Sequence, residues 1–218
     1  MGLWHVFYED WQMECCGTPF SVGDEVGWPL LLVTEGETLG GGWHDQLTKV
    51  AGPVADGVLR DENGLVVAVQ ERAGEWMRLV GLLTVETHGA KLPEARGRVR
   101  SVQVLTQAYA RSASGAGAWE PVPGERSLKA VGTCPKWFGD KEAGDRRLRG
   151  AGAVVTLDVP GTDSWLSYAV REASGLPKDA PPGAETDGID ADSLAALLET
   201  FSTVSGPGGR TGMTRPRP

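Results

Sequence analysis

The chain has 218 residues, eight tryptophans and a formal net charge of −8, which is enough length to bury one substantial core. An isoelectric point near 5.0 lacks the basic footprint of a dedicated nucleic-acid binder, and no run reaches the roughly 18 apolar residues that cross a bilayer. Three cysteines are an odd number that argues against a disulfide framework, and an opening Met-Gly-Leu-Trp-His-Val-Phe without a basic stretch or cleavage site predicts a cytoplasmic protein with reduced thiols and no membrane partner.

Residues 3–11, rich in aromatic and β-branched side chains, predict an opening strand. Residues 20–33 predict a strand that bends at Gly23-Asp24, where glycine supplies the backbone freedom and Asp24 can cap the turn. Residues 34–48 contain Gly40-Gly41-Gly42 and several acids and read as a mobile loop. Strands at 50–59 and 64–70 flank Asp61-Glu-Asn-Gly64, whose Asn-Gly pair is a strong hairpin signal.

Further strands are expected at 76–86 and 96–110, the second with a bulge after Val99 where alternation slips. A flexible connector at 112–118 precedes a turn-rich crossing at 119–124, a short strand at 127–131 and a last strand at 153–159, stopped by Pro160-Gly161. Two helices follow. Residues 164–174 put Trp165, Leu166, Ala169 and Val170 on one face, with Thr162 or Asp163 as N-cap and Gly175 past the end. Residues 190–204 carry Leu194, Leu197, Leu198 and Phe201 at helical spacing, a stripe that the chain's own barrel or a partner must cover. Residues 178–188 read as a linker.

Many short strands with helices only at the end define a mainly β chain, α+β by count. The expected architecture is an antiparallel small β-barrel or sandwich, SH3-like or OB-like, with one or two C-terminal helices. It divides into a barrel-like domain at 1–160, a helical extension at 161–204 and a disordered tail at 205–218.

Charge is segregated along the chain. Residues 1–48 hold eight acids and no Lys or Arg, 49–150 hold sixteen bases against twelve acids, and the rest holds nine acids and five bases. The acidic start and basic middle are expected to pack together or to solvate different faces, and a basic patch for an anionic partner is the alternative.

Three blocks, WHVFYEDWQMECCGTPFSVGDEVGW, HGAKLPEARGRVRSVQV and WEPVPGERSLKAVGTCPKWF, resemble an uncharacterised bacterial family of unknown function with a Cys-Cys-Gly-x-Pro-Phe signature near its N-terminus. The resemblance covers residues 3–160 and implies a shared fold without naming an activity.

The donor chemistry concentrates on Cys15, Cys16, His88 and Cys134. Two thiolates suit zinc, and Cys134 with His88, His5 or His44 could complete four ligands. Adjacent residues of an extended chain point to opposite faces, however, so one metal could take both cysteines only at an unusual local turn. The simpler expectation is that Cys15 and Cys16 are buried beside Phe20 as small apolar groups. A reactive thiolate would need a nearby cation, and the segment itself has none.

Gly150-Ala-Gly152 precedes a strand, which is the wrong order for a dinucleotide fingerprint, and neither a Walker lysine nor a nucleophile elbow is present. Arg96, Arg98 and Arg100 alternate and would share one strand face. With Trp11, Trp28 and Trp137 they form the expected ligand-binding set. The leading expectation is therefore a non-enzymatic cytoplasmic binding or interaction module without a cofactor, its ligand a protein or a small molecule. The alternatives are a metal- or thiol-dependent enzyme using Cys15 or Cys16 with His88, zinc being the cofactor, and single-stranded nucleic-acid binding by basic strands with stacking tryptophans.

Overall fold

The computed structural model describes residues 2–34, 36, 38–70, 73–88, 92–112, 118–143, 146–177, 181 and 189–202. The tail at 205–218, most of the linker at 178–188 and the centre of the connector at 112–118 lie outside the described residues.

In chain order the elements are β1 (Gly2–Glu9), α1 (Asp10–Cys15), β2 (Glu25–Val33), β3 (Thr48–Ala55), β4 (Val58–Arg60), β5 (Val66–Ala68), β6 (Ala73–Val85), β7 (Glu94–Arg111), β8 (Trp119–Ala130), β9 (Asp140–Ala143), β10 (Arg146–Val159), α2 (Trp165–Ala173) and α3 (Ala191–Ser202). Eight strands close a ring in the order β7-β2-β5-β4-β3-β6-β1-β10, with β10 pairing back onto β7, while β8 and β9 extend it beyond β7 and β10. The ring is mixed: β1 runs parallel to β6, with Val6 opposite Leu83, and β2 runs parallel to β5. This corrects the all-antiparallel expectation and gives a larger closed barrel than the small SH3-like or OB-like arrangement. Alternation of side chains assigns a strand's faces but not its partners, and the β1–β6 pair joins segments far apart in the chain.

The interior follows strand alternation. Trp4, Val6 and Tyr8 of β1 meet Leu30 and Leu32, Val50 and Val54, Leu83 and Val85, and Val155 and Leu157 in one apolar cluster. β1 is also buried on its outer face. Leu3 lies under Leu166 and Val170 of α2 and Leu194 and Leu198 of α3, so the barrel and α2 together cover Leu194 and Leu198 of the last helix's apolar stripe. Phe7 packs on Trp43 at 4.9 Å between ring centroids. The fully buried Trp43 sits beneath the Arg126 guanidinium at 3.9 Å, which anchors a segment expected to be mobile.

Two turns account for local departures from expectation. Asp56 and Gly57, with φ of 51° and 73°, split the expected strand 50–59 into β3 and β4 and fit the left-handed backbone that tight hairpins need. The Asp61–Gly64 turn forms as expected, and the Asp61 carboxylate caps it by accepting from the Asn63 and Ala51 N–H groups at 2.9 and 2.7 Å. The N-cap of α2 is Ser164, which accepts from Ser167 N–H at 3.1 Å, rather than Thr162 or Asp163.

Gly150-Ala-Gly152 lies in a bulge of β10. Gly152 has φ +132°, and a Cβ there would stand 2.2 Å from the Tyr8 carbonyl oxygen. Only glycine lets β10 approach the end of β1 so closely, and that end leads directly into α1.

Candidate metal-binding cluster

β1 ends at Glu9, and the chain turns at once into a single short helix where the sequence predicts a strand through residue 11. Cys15 is the last residue of α1 and Cys16 its C-cap, whose N–H returns to the Gln12 carbonyl. The helix C-terminus removes the obstacle posed by extended backbone, because both thiols now emerge on the same side. Their Sγ atoms are 2.9 Å apart. Both cysteines are exposed, which corrects the expectation of buried packing beside Phe20.

The loop after β6 brings His88 to them. Its Nε2 lies 3.1 Å from Cys16 Sγ and 3.5 Å from Cys15 Sγ, and the three donor atoms fall within 4.8 Å of one another. The hydrogen-bond network assigns the imidazole tautomer. Gln12 Nε2 donates to the Val85 carbonyl at 2.6 Å, so Oε1 points the other way and accepts from Thr87 N–H at 3.2 Å and Thr87 Oγ1–H at 2.9 Å. With its proton committed to Gln12, Thr87 Oγ1 accepts from His88 Nδ1–H at 3.0 Å. With Nδ1 held by Thr87, Nε2 is the ring nitrogen turned toward the sulfurs, the same orientation by an outer partner that metal-ligating histidines show. Trp11 packs on the imidazole at 4.9 Å, and Glu86 accepts from the His88 backbone N–H at 2.7 Å.

The cation missing from the local sequence arrives through folding. Lys136 Nζ donates to the carbonyls of Met13 and Gly17 at 2.6 and 2.9 Å, where the helix dipole places partial negative charge. The Cys15 pKa is raised, first by its hydrogen bond with Cys16 and then by desolvation, with Lys136 acting in the opposite direction.

Cys134, the fourth candidate ligand, does not join. It is fully buried in the barrel interior, where desolvation pushes its pKa up to about 12. His5 is also remote from the thiols, buried on the outer face of β1 with Thr156 Oγ1 at 3.4 Å from Nδ1. Trp28 is buried against Tyr8 and Phe20 at 5.3 and 4.9 Å, whereas Trp137, beside Lys136, is 68 % exposed.

The arginine stripe is neutralised. Arg96 pairs with Glu94 at 2.9 Å, Arg98 with Glu25 at 3.0 Å, and Arg100 with the buried Asp158 at 2.7 Å. The Arg98–Glu25 pair and the Arg149–Asp10 pair at 2.7 Å join the basic middle of the chain to its acidic start. Sequence reasoning missed Gln12 and Thr87 and placed Lys136 only in a basic cluster with Lys141, Arg146, Arg147 and Arg149, because the roles of all three depend on contacts made 73 to 123 residues away.

The protein is thus a closed, mixed eight-stranded β-barrel with an exposed Cys-Cys-His cluster at the C-terminal end of its first helix. The sequence profile of DUF6578, a family of unknown function, matches residues 2–159, and the chain belongs to that family. The matched span contains all three cluster residues. No curated protein and no solved structure matches the chain. Among the described residues, no helix is long and apolar enough to cross a membrane.

Proposed function

We propose that the chain is a non-enzymatic binding module whose ligand is a thiophilic divalent cation, zinc first among them, held by Cys15, Cys16 and His88. The observation that carries this reading is the convergence of two exposed thiols on an imidazole lone pair whose direction is already set by Thr87 and Gln12. Soft thiolate with imidazole is a donor set that selects zinc and its neighbours over hard cations. Zinc bonds of about 2.3 Å to sulfur and about 2.0 Å to nitrogen would set the sulfurs about 3.7 Å apart. Rotation of two exposed side chains brings them to that separation, and their protons leave to solvent as the metal binds. A reducing cytoplasm keeps such thiols available.

A binding role fits better than catalysis because the neighbouring carboxylates have structural partners. Glu9 accepts from Trp11 Nε1–H, Glu86 from the His88 N–H and Glu14 from the Phe138 N–H. The test is elemental analysis of protein purified without added metal, followed by zinc titration against a chromophoric chelator. One equivalent per chain is expected, falling to none in the Cys15→Ser/Cys16→Ser variant. Wild-type protein that takes up no stoichiometric zinc would sink the reading.

A further inference from the structure

Three protein donors leave one position of a tetrahedral ion open, and Cys16 has a place in two features at once. It belongs to the donor cluster and also lines an open cleft of about 440 Å³, a volume within the range of small-ligand sites. The aromatic side chains of this cleft are Tyr8, Phe20 and Trp28, packed at 4.9 to 5.9 Å between ring centroids. Asp24, which accepts from the Ser21 N–H at 2.8 Å, and Glu25, paired with Arg98 at 3.0 Å, add carboxylates to the same lining. A soft donor centre, three aromatic rings and two acids therefore border one space.

Resting on the metal reading above, we propose that this cleft binds a small thiol carrying an ammonium group. Its sulfur would fill the open coordination position as a thiolate, releasing its proton to solvent. Its cation would lie among aromatic rings and carboxylates, both of which attract an ammonium. A third thiolate would leave the ion with one net negative charge, and the Lys136 ammonium, already acting on Cys15, offsets it. The two halves of the ligand have separable contributions. A thiol without the cation keeps the metal bond and loses the cleft, whereas the cation without the thiol keeps only the cleft.

The test uses the full chain loaded with cobalt(II), whose visible spectrum reports coordination, and thiocholine as the probe, because its quaternary nitrogen cannot itself chelate the metal. Thiocholine should strengthen the sulfur-to-cobalt charge-transfer band and, with affinities compared per thiolate because its ammonium acidifies the thiol, bind about tenfold more tightly than 2-mercaptoethanol, the equivalent of about 1.4 kcal/mol. Choline should leave the spectrum unchanged. Thr18→Trp, at an exposed lining residue of the cleft, should weaken thiocholine about tenfold while cobalt affinity stays constant, and Glu25→Gln should weaken it about threefold. Cobalt-loaded protein that ignores thiocholine overturns this proposal and leaves the metal reading standing. Equal affinity for the two thiols, with no effect of either variant, shows that the sulfur binds without the cleft and also overturns it. Failure to take up cobalt or zinc overturns the metal reading and this inference together.

Discussion

The two ends of β1 treat the same chemistry in opposite ways. Near its start, His5 is buried beside Thr156 of β10, its Nε2 lacks a hydrogen-bond partner among the described residues, and burial lowers its pKa to about 4. Past its other end, His88 is exposed, its Nδ1 is fixed by Thr87 and its Nε2 meets two thiols. The cysteines repeat the contrast, with Cys134 inert in the interior and Cys15 and Cys16 at the surface. On the proposed reading, what suits a histidine or a cysteine to ligation here is a fixed orientation combined with access to solvent. Burial alone makes it packing.

If the two ends are independent, each can be damaged without harming the other. The largest effect is expected from Leu166→Ala, which empties a buried position over Leu3. It should cost about 2–5 kcal/mol in urea unfolding and leave zinc affinity unchanged; a parallel loss of affinity would break the comparison. Next comes acid. Between pH 6.5 and about 4 the unfolded chain protonates His5 while the folded chain refuses the proton. Stability is therefore full above pH 6.5 and declines as pH falls through that window, by up to roughly 3 kcal/mol. His5→Leu should flatten that dependence, measured by denaturant midpoints at several pH values.

At the other end, Thr87→Val removes the acceptor for His88 Nδ1–H and should lower zinc affinity about 10–100-fold. Chelator competition measures it, and an unchanged affinity would mean that the tautomer lock is irrelevant. The smallest effect is expected from Arg96→Ala. Its pair with Glu94 is exposed, so unfolding free energy should move by less than about 0.5 kcal/mol.

The sequence showed the β-rich character, the Asp61–Gly64 turn and both C-terminal helices because these follow from local pattern. It showed three of the cluster's donors by residue type and proposed Cys134 on the same criterion, since burial is invisible in a lone cysteine. The helix α1 was hidden because Asp-Trp-Gln-Met-Glu-Cys is one short turn-and-a-half, and its N-cap residue Glu9 makes no side-chain capping bond. The hairpin of β9 and β10 was concealed because Lys136, Lys141, Arg146, Arg147 and Arg149 read together as a basic cluster. In the folded chain, Arg147 pairs with Asp140, Arg146 with Glu125 and Arg149 with Asp10. Parallel pairing of β1 with β6 was beyond reach, because no turn between the two strands specifies it.

The tilted packing of Trp11 on His88 should make the protein its own optical sensor. An indole 4.9 Å from an imidazole emits under the influence of that ring, so a cation arriving at Nε2 should quench or shift its fluorescence. Trp4 and Trp43, fully or almost fully buried, contribute a background that a cation at the cluster should leave constant. Comparing wild type with Trp11→Phe would isolate the signal of the indole that packs on His88, and occupancy could then be followed in real time without an added dye.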